Sequence, residues 1–213
     1  MQTKLYYIFD PLCGWCFGFS PVIKRLEETY KDQISFETLC GGMMLGDRIK
    51  PLSEMKSYLS EAMPRLEEMT GVKFGDDYLK VLDDGSLVLD SELPSIAMLV
   101  YKSMTQKSSV QFASAIQNSL YKSGKDLNKI DTYKYLVEDF DLDWDIFKQK
   151  MEDPSYKTKT YDEFKLVGEM GIQGFPSVVL QVDDKAYLIA RGYRSFGDMH
   201  AVIEEIIKKE EVK

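Results

Sequence analysis

Cys13 and Cys16 stand two residues apart, separated by Gly14 and Trp15. Two chemistries are open to thiols at that spacing. They can close a disulfide and exchange it with another thiol, or they can supply half of a zinc site. Structural zinc takes four ligands, usually as two such halves. The remaining sulfur and nitrogen candidates are Cys40 and the only histidine, His200, and neither sits at a second metal-like spacing. Three cysteines in 213 residues are also far too sparse for a disulfide-stapled scaffold. Redox exchange is therefore the expected chemistry, and no metal is expected.

The surroundings of the pair support that choice. Residues 4–9 are rich in aromatic and aliphatic side chains and read as a buried strand, which Asp10-Pro11 ends. A helix should open just after it. Helix N-termini carry unpaired N–H groups and a partial positive charge, and both favour a thiolate. Cys13 is then the attacking sulfur and Cys16 the sulfur that resolves the mixed disulfide. A second helix-start signal lies at Ser20-Pro21, a capping serine and a first-turn proline, followed by Val22, Ile23, Leu26 and Tyr30 on one face. Asp10 is the acid nearest the cysteines. It is a candidate for proton transfer, with a simple strand-ending turn as the alternative. Gly174-Phe175-Pro176 precedes a β-branched strand at 177–182. Pro176 offers no N–H and holds Phe175 extended, so the Phe175 backbone could bond an incoming peptide; an ordinary strand-opening proline is the alternative.

The elements that must position these residues alternate in type. Strands are expected at 4–9, 34–40, 177–182 and 186–191. Helical patterns run over 53–69, 94–104, 110–122, 132–140, 144–151 and 156–170, and a last helix over 196–208. The order is strand, helix, strand, helical block, helix, strand, strand, helix. This is an α/β chain with a parallel βαβ unit at the start and an antiparallel hairpin near the end. The helical block at 47–153 interrupts a domain made of 1–46 and 154–213. Eleven methionines, Met43, Met44, Met55, Met63 and Met69 among them, suit interior packing or an adaptable groove. His200 on the terminal helix reads as a surface or half-buried residue.

The formal net charge of −8 argues against nucleic acid as a partner. No segment approaches the ~18 apolar residues of a membrane span. Residues 1–10 do not read as a signal peptide, which makes the cytoplasm the default location.

With these residues in hand, the chain resembles the DsbA-like branch of the thioredoxin superfamily. The likeness is nearest to the subgroup of predicted protein-disulfide isomerases related to FrnE. It is carried by Asp10-Pro11-Leu12-Cys13-Gly14-Trp15-Cys16-Phe17-Gly18-Phe19, by Gly41-Gly42 and by Gly174-Phe175-Pro176. The resemblance implies a thioredoxin-like fold with a large helical insertion, a cis-proline at Pro176 beside the cysteines, and dithiol–disulfide exchange with protein or peptide thiols. It implies Cys13 and Cys16 as the redox pair, and Gly14, Trp15, Phe175 and Pro176 as the substrate-binding residues. No cofactor is expected beyond the redox-active disulfide, with glutathione as a candidate co-substrate. Two positions depart from the family. Gly14-Trp15 matches neither the histidine-containing pair of strong oxidants nor the Gly-Pro of reducing thioredoxins. Tyr7 stands where many members bury an acid, six residues before the first cysteine. A sister group, which includes kappa-class glutathione transferases and 2-hydroxychromene-2-carboxylate isomerase, has serine at the first cysteine position and binds glutathione. That chemistry is the alternative reading here.

Overall fold

The computed structural model describes residues 2–212. Strand β1 (Thr3–Phe9) runs through the middle of a four-stranded sheet. Helix α1 (Gly14–Tyr30) carries the chain over to β2 (Ser35–Cys40), which pairs parallel to β1. Strands β5 (Ser177–Val182) and β6 (Lys185–Arg191) form the hairpin, and β5 lies antiparallel to β1. The order across the sheet is β2-β1-β5-β6.

Alternation along the strands decides which helix covers which face. Leu5, Tyr7 and Phe9 point with Val178 and Leu180 into the main core, where they meet Leu26 of α1 and Met199 and Ile203 of α9 (Phe196–Glu211). Ile8, Leu39 and Val179 point the other way, onto Val167 of α8 (Pro154–Glu169). The result is a sheet between two helical layers.

Between β2 and α8 the chain is helical apart from a two-residue strand pair. The elements are β3 (Lys50–Pro51), α2 (Leu52–Thr70), α3 (Asp76–Asp84), β4 (Val88–Leu89), α4 (Glu92–Met104), α5 (Ser109–Tyr121), α6 (Lys134–Asp139) and α7 (Trp144–Glu152). Sequence periodicity does not point to α3. That helix has nine residues and buries only Tyr78 and Leu82, too few positions to establish a period. The expected helix over 132–140 is instead a 3-10 turn, Ile130–Tyr133, leading into α6.

The start of α1 also differs from one sequence signal. Ser20 and Pro21 lie inside the helix, which opens at Gly14 with Cys13 as its N-cap. The Ser20 hydroxyl bonds Ser114 of α5 at 2.7 Å rather than capping a helix end. Pro21 withholds the N–H that would reach the Phe17 carbonyl.

Strand β2 is an outer strand, and its free edge is the kind that recruits other chains. Side chains from three helices occupy that edge. The Thr38 N–H donates to Ser109 Oγ of α5, Lys102 Nζ of α4 donates to the Thr38 carbonyl, and the Cys40 N–H donates to Glu163 Oε1 of α8. Lys102 and Glu163 are themselves paired. Two helices of the helical block, together with α8, thus close the sheet on the side where β2 delivers the chain to the site.

Candidate active site

The site is built where β1 ends and α1 begins. The Asp10 carbonyl accepts the Cys13 N–H at 3.0 Å, and the Cys13 carbonyl accepts the N–H groups of Cys16 and Phe17. Cys13 is held extended as the N-cap, and its Sγ accepts the Cys16 N–H at 3.4 Å. A thiol is an unusual cap, but it sits where a cap hydroxyl would, sharing with the Cys13 carbonyl the Cys16 N–H of the first turn. The same Sγ lies 3.6 Å from the Phe175 carbonyl, to which the thiol donates. The Phe175-Pro176 bond is cis. Residues more than 160 positions apart are thereby brought into one contact.

The two cysteines differ in access. Cys13 is 6% exposed and Cys16 is 0% exposed. Burial pushes the Cys16 thiol well above the ordinary cysteine range, and the adjacent Cys13 side chain raises it further. A hydrogen bond from the Asp10 backbone works weakly in the other direction. Cys40 is buried at the end of β2, and burial together with the Glu163 charge holds its thiol well above the usual range. All three are free thiols.

Asp10 is fully buried, and its carboxylate joins three pieces of chain. Oδ1 accepts the Leu12 N–H at 2.9 Å and the Ser91 hydroxyl at 2.9 Å. Oδ2 accepts the Met43 N–H at 2.6 Å. Ser91 also receives the Met44 N–H at 3.0 Å and donates its own N–H to the Met44 carbonyl. One carboxylate therefore ties the cysteine loop to the Gly41-Gly42 turn and to the start of α4. Burial raises the Asp10 carboxyl above the ordinary aspartate value. The Met43, Leu12 and Ser91 hydrogen bonds and the Arg48 charge oppose the rise. Tyr7 brings no carboxylate. Its hydroxyl donates to the Cys16 carbonyl at 3.4 Å, and burial pushes the phenol well up.

Two supporting residues, and the role of a third, escape a reading of the sequence alone. Ser91 is one. Tyr121 of α5 is another, with its hydroxyl 2.6 Å from the Leu12 carbonyl, the last carbonyl before Cys13. Gly41 is the third. A Cβ there would stand 1.9 Å from the Phe175 ring, so the aromatic plane lies directly on the Gly41 backbone. Gly41→Ala must displace Phe175, whose carbonyl contacts Cys13. We expect that variant to fold with a loss of roughly 1–3 kcal/mol and with disulfide turnover reduced by more than its stability loss explains, as chemical denaturation beside a steady-state assay would show.

The remaining residues singled out from the sequence lie elsewhere or belong to packing. Trp15 and Gly14 are half-buried at the rim of the site. Met44 and Met63 are buried, Met43 and Met55 pack against the core, and Met69 is exposed. His200 of α9 bonds Tyr30 at 2.6 Å and stacks on Phe196. Tyr30 is the last residue of α1, roughly 24 Å along the helix from Gly14. Among the described residues no group of side chains could hold a metal ion, and no helix is long and apolar enough to cross a membrane.

Comparison with known proteins agrees with this architecture. The chain is 23% identical over 214 residues to the ClpXP adapter protein SpxH of Bacillus subtilis, covering 96% of this chain and 66% of that one. It thus spans just under two thirds of that relative's length. Among solved structures, a candidate protein disulfide isomerase from Nitrosomonas europaea superimposes with a TM-score of 0.85 at 23% identity, covering 98% of this chain and 99% of the other. The cytosolic disulfide reductase DsbM of Pseudomonas aeruginosa gives 0.79 at 25% identity, covering 96% and 98%. The same protein solved with GSH gives 0.77 at 24% identity, covering 96% and 99%. The family profile described as Thioredoxin matches residues 6–194, most of both halves of the sheet and everything between them, and the chain belongs to that family.

Proposed function

We propose that the protein is a thiol–disulfide oxidoreductase acting on protein or peptide thiols, with Cys13 as nucleophile and Cys16 as resolving thiol. The observation that carries this reading is the placement of Cys13 Sγ: it caps α1 and touches the carbonyl of Phe175, next to cis-Pro176, with Cys16 sealed behind it. Likeness to a disulfide reductase adds support.

In the reducing direction, Cys13 thiolate attacks one sulfur of the substrate disulfide. A Cys13–substrate disulfide forms, and the other substrate sulfur leaves and takes a proton. Cys16 then gives up its proton, and its thiolate attacks Cys13 Sγ. The Cys13–Cys16 disulfide forms, and the second substrate thiol departs. Two electrons pass from protein to substrate, and oxidation of a substrate dithiol runs the same steps backwards. Gly14, Trp15, Phe175 and Pro176 are the residues assigned to orient the substrate, the Phe175 carbonyl touching the reacting sulfur. Asp10 is the nearest carboxylate to accept the proton from Cys16. The GSH-bound DsbM structure supports glutathione as a small co-substrate. An adapter role like that in the name of the Bacillus relative is a second reading, and binding that survives loss of both cysteines would favour it.

Selective alkylation tests the assignment. Iodoacetamide on the reduced native protein is expected to modify Cys13 alone, with turnover falling in step with that modification by mass spectrometry. Full activity after complete Cys13 alkylation would overturn it.

A further inference from the structure

We propose that the groove between α1 and α5, flanked by the loop joining α2 and α3, is a binding site for phosphate groups. It is lined by neither cysteine of the redox pair, and the inference goes beyond the oxidoreductase reading. The groove encloses about 350 Å³, within the range of small-molecule sites. Two polar stripes meet across it. On α5, Ser114, Asn118 and the C-capping Lys122 recur every four residues and so share one face. On α1, Ser20 and Lys24 stand four apart. Lys73 of the flanking loop adds a third ammonium group.

Charge is the first observation. Lys24, Lys73 and Lys122 line the groove, and among the described residues no carboxylate does, although the chain as a whole carries a net charge of −8. These lysines have donors to give. Lys24 has no ion-pair partner among the described residues, and Glu28, one turn on, is paired with Lys31. Lys122 gives one of its three N–H donors to the Lys73 carbonyl and sits 5.7 Å over the Phe17 ring. Lys73 pairs at 2.9 Å with Glu67, which lies outside the lining. The second observation is a buried donor. Ser20 and Ser114 are each 6% exposed, and their hydroxyls share a single 2.7 Å bond. Neither has another partner among the described residues, so one O–H of the pair lacks an acceptor. Buried donors are nearly always satisfied, and this pair lines the groove, so the acceptor is supplied by what fills it. The Asn118 amide beside them is also without a protein partner. Three ammonium groups, a hydroxyl and an amide NH₂ match a ligand group that only accepts and carries more than one charge. A phosphate does both; a carboxylate carries a single charge. Phe17 and Val72 add an apolar wall for an organic part.

The test titrates the full chain, isotope-labelled and at low ionic strength, with phenyl phosphate, inorganic phosphate and benzoate, and follows the backbone amides by NMR. Both phosphates are expected to shift Ser20, Lys24, Ser114 and Asn118 to saturation. Phenyl phosphate should bind at least about tenfold more tightly than benzoate, the factor for one further charge-assisted hydrogen bond. Tighter binding of phenyl phosphate than of inorganic phosphate assigns the site to organic phosphates, and equal binding assigns it to the free ion. Lys24→Glu and Asn118→Asp each set a carboxylate against the ligand and should weaken phenyl phosphate about tenfold or more, while thermal midpoints and disulfide turnover stay at wild-type values. Shifts scattered over the surface lysines without saturation would overturn the inference. So would benzoate binding as tightly as phenyl phosphate, or an affinity unchanged in both variants. Disulfide turnover is read separately, so failure of the groove leaves the oxidoreductase reading standing, and failure of that reading leaves the groove's affinity as measured.

Discussion

Cys13→Ser is expected to reduce disulfide turnover to below about one-thousandth of wild type, while Cys16→Ser stops the reaction one step later. The difference follows from where the two sulfurs sit. Cys13 is at the open end of α1, where the Cys16 N–H and the helix N-terminus meet its sulfur. A serine hydroxyl would keep the cap bond, so the fold should survive with the nucleophile gone. Cys16 is sealed behind Cys13, and burial keeps it a thiol until a mixed disulfide brings an electrophilic sulfur beside it. Without Cys16 the first exchange still occurs, and its product accumulates as a covalent protein–substrate adduct. Non-reducing gels and intact-mass measurement would show that adduct in Cys16→Ser and not in Cys13→Ser. Undiminished turnover of a small-molecule substrate in Cys16→Ser would move the assignment to the glutathione-dependent transferase or isomerase class.

Asp10 should give the largest effect on stability. Asp10→Ala leaves the Leu12 and Met43 N–H groups and the Ser91 hydroxyl without their buried acceptor. Each orphaned group costs about 1–3 kcal/mol, so a total loss of about 3 kcal/mol or more is expected. Asp10→Asn is milder, but it must set an amide NH₂ against one of those donors. The pH dependence has a definite sign. Burial raises the carboxyl in the folded state above its unfolded value. Between the two values the folded state binds more protons. The contribution to stability is therefore fully present below the unfolded value and is lost as pH rises through the folded one. Wild type should lose stability relative to Asp10→Asn as pH climbs from the ordinary aspartate range, measured as denaturation midpoints at matched ionic strength. If Asp10 takes the Cys16 proton, Asp10→Asn should also slow resolution more than first attack, and single-turnover kinetics separate those two steps.

What could be read along the chain was local. The Cys13–Cys16 spacing, the strand before it and the strand after Pro176 are each contained in a few residues, and alternation and helical period carry them. The Ser20-Pro21 signal misleads because both residues are common at helix starts, whereas a cysteine cap is rare and the true first turn, Gly14 to Phe17, has no periodic face of its own. Asp10 shows the other boundary. Its acid character is visible in sequence, but its partners Met43 and Ser91 lie 33 and 81 residues away. No pattern in the chain links them. The same holds for Gly41 and Phe175: a glycine pair reads as a turn, and only the fold reveals that the ring of a distant residue occupies the space of the missing side chain. Short helices such as α3 are lost for want of buried positions rather than for want of propensity.

The central claim is that Cys13 and Cys16 form a reversible redox pair. Equilibrating the purified protein across a series of glutathione buffers, with Trp15 fluorescence as the signal and mass spectrometry to count thiols, tests it most directly. A single two-electron transition is expected. A midpoint near about −120 to −200 mV would identify an oxidase or isomerase, and one near about −270 mV a reductant. Thiols at Cys13 and Cys16 that form no reversible disulfide at any poise would contradict the claim.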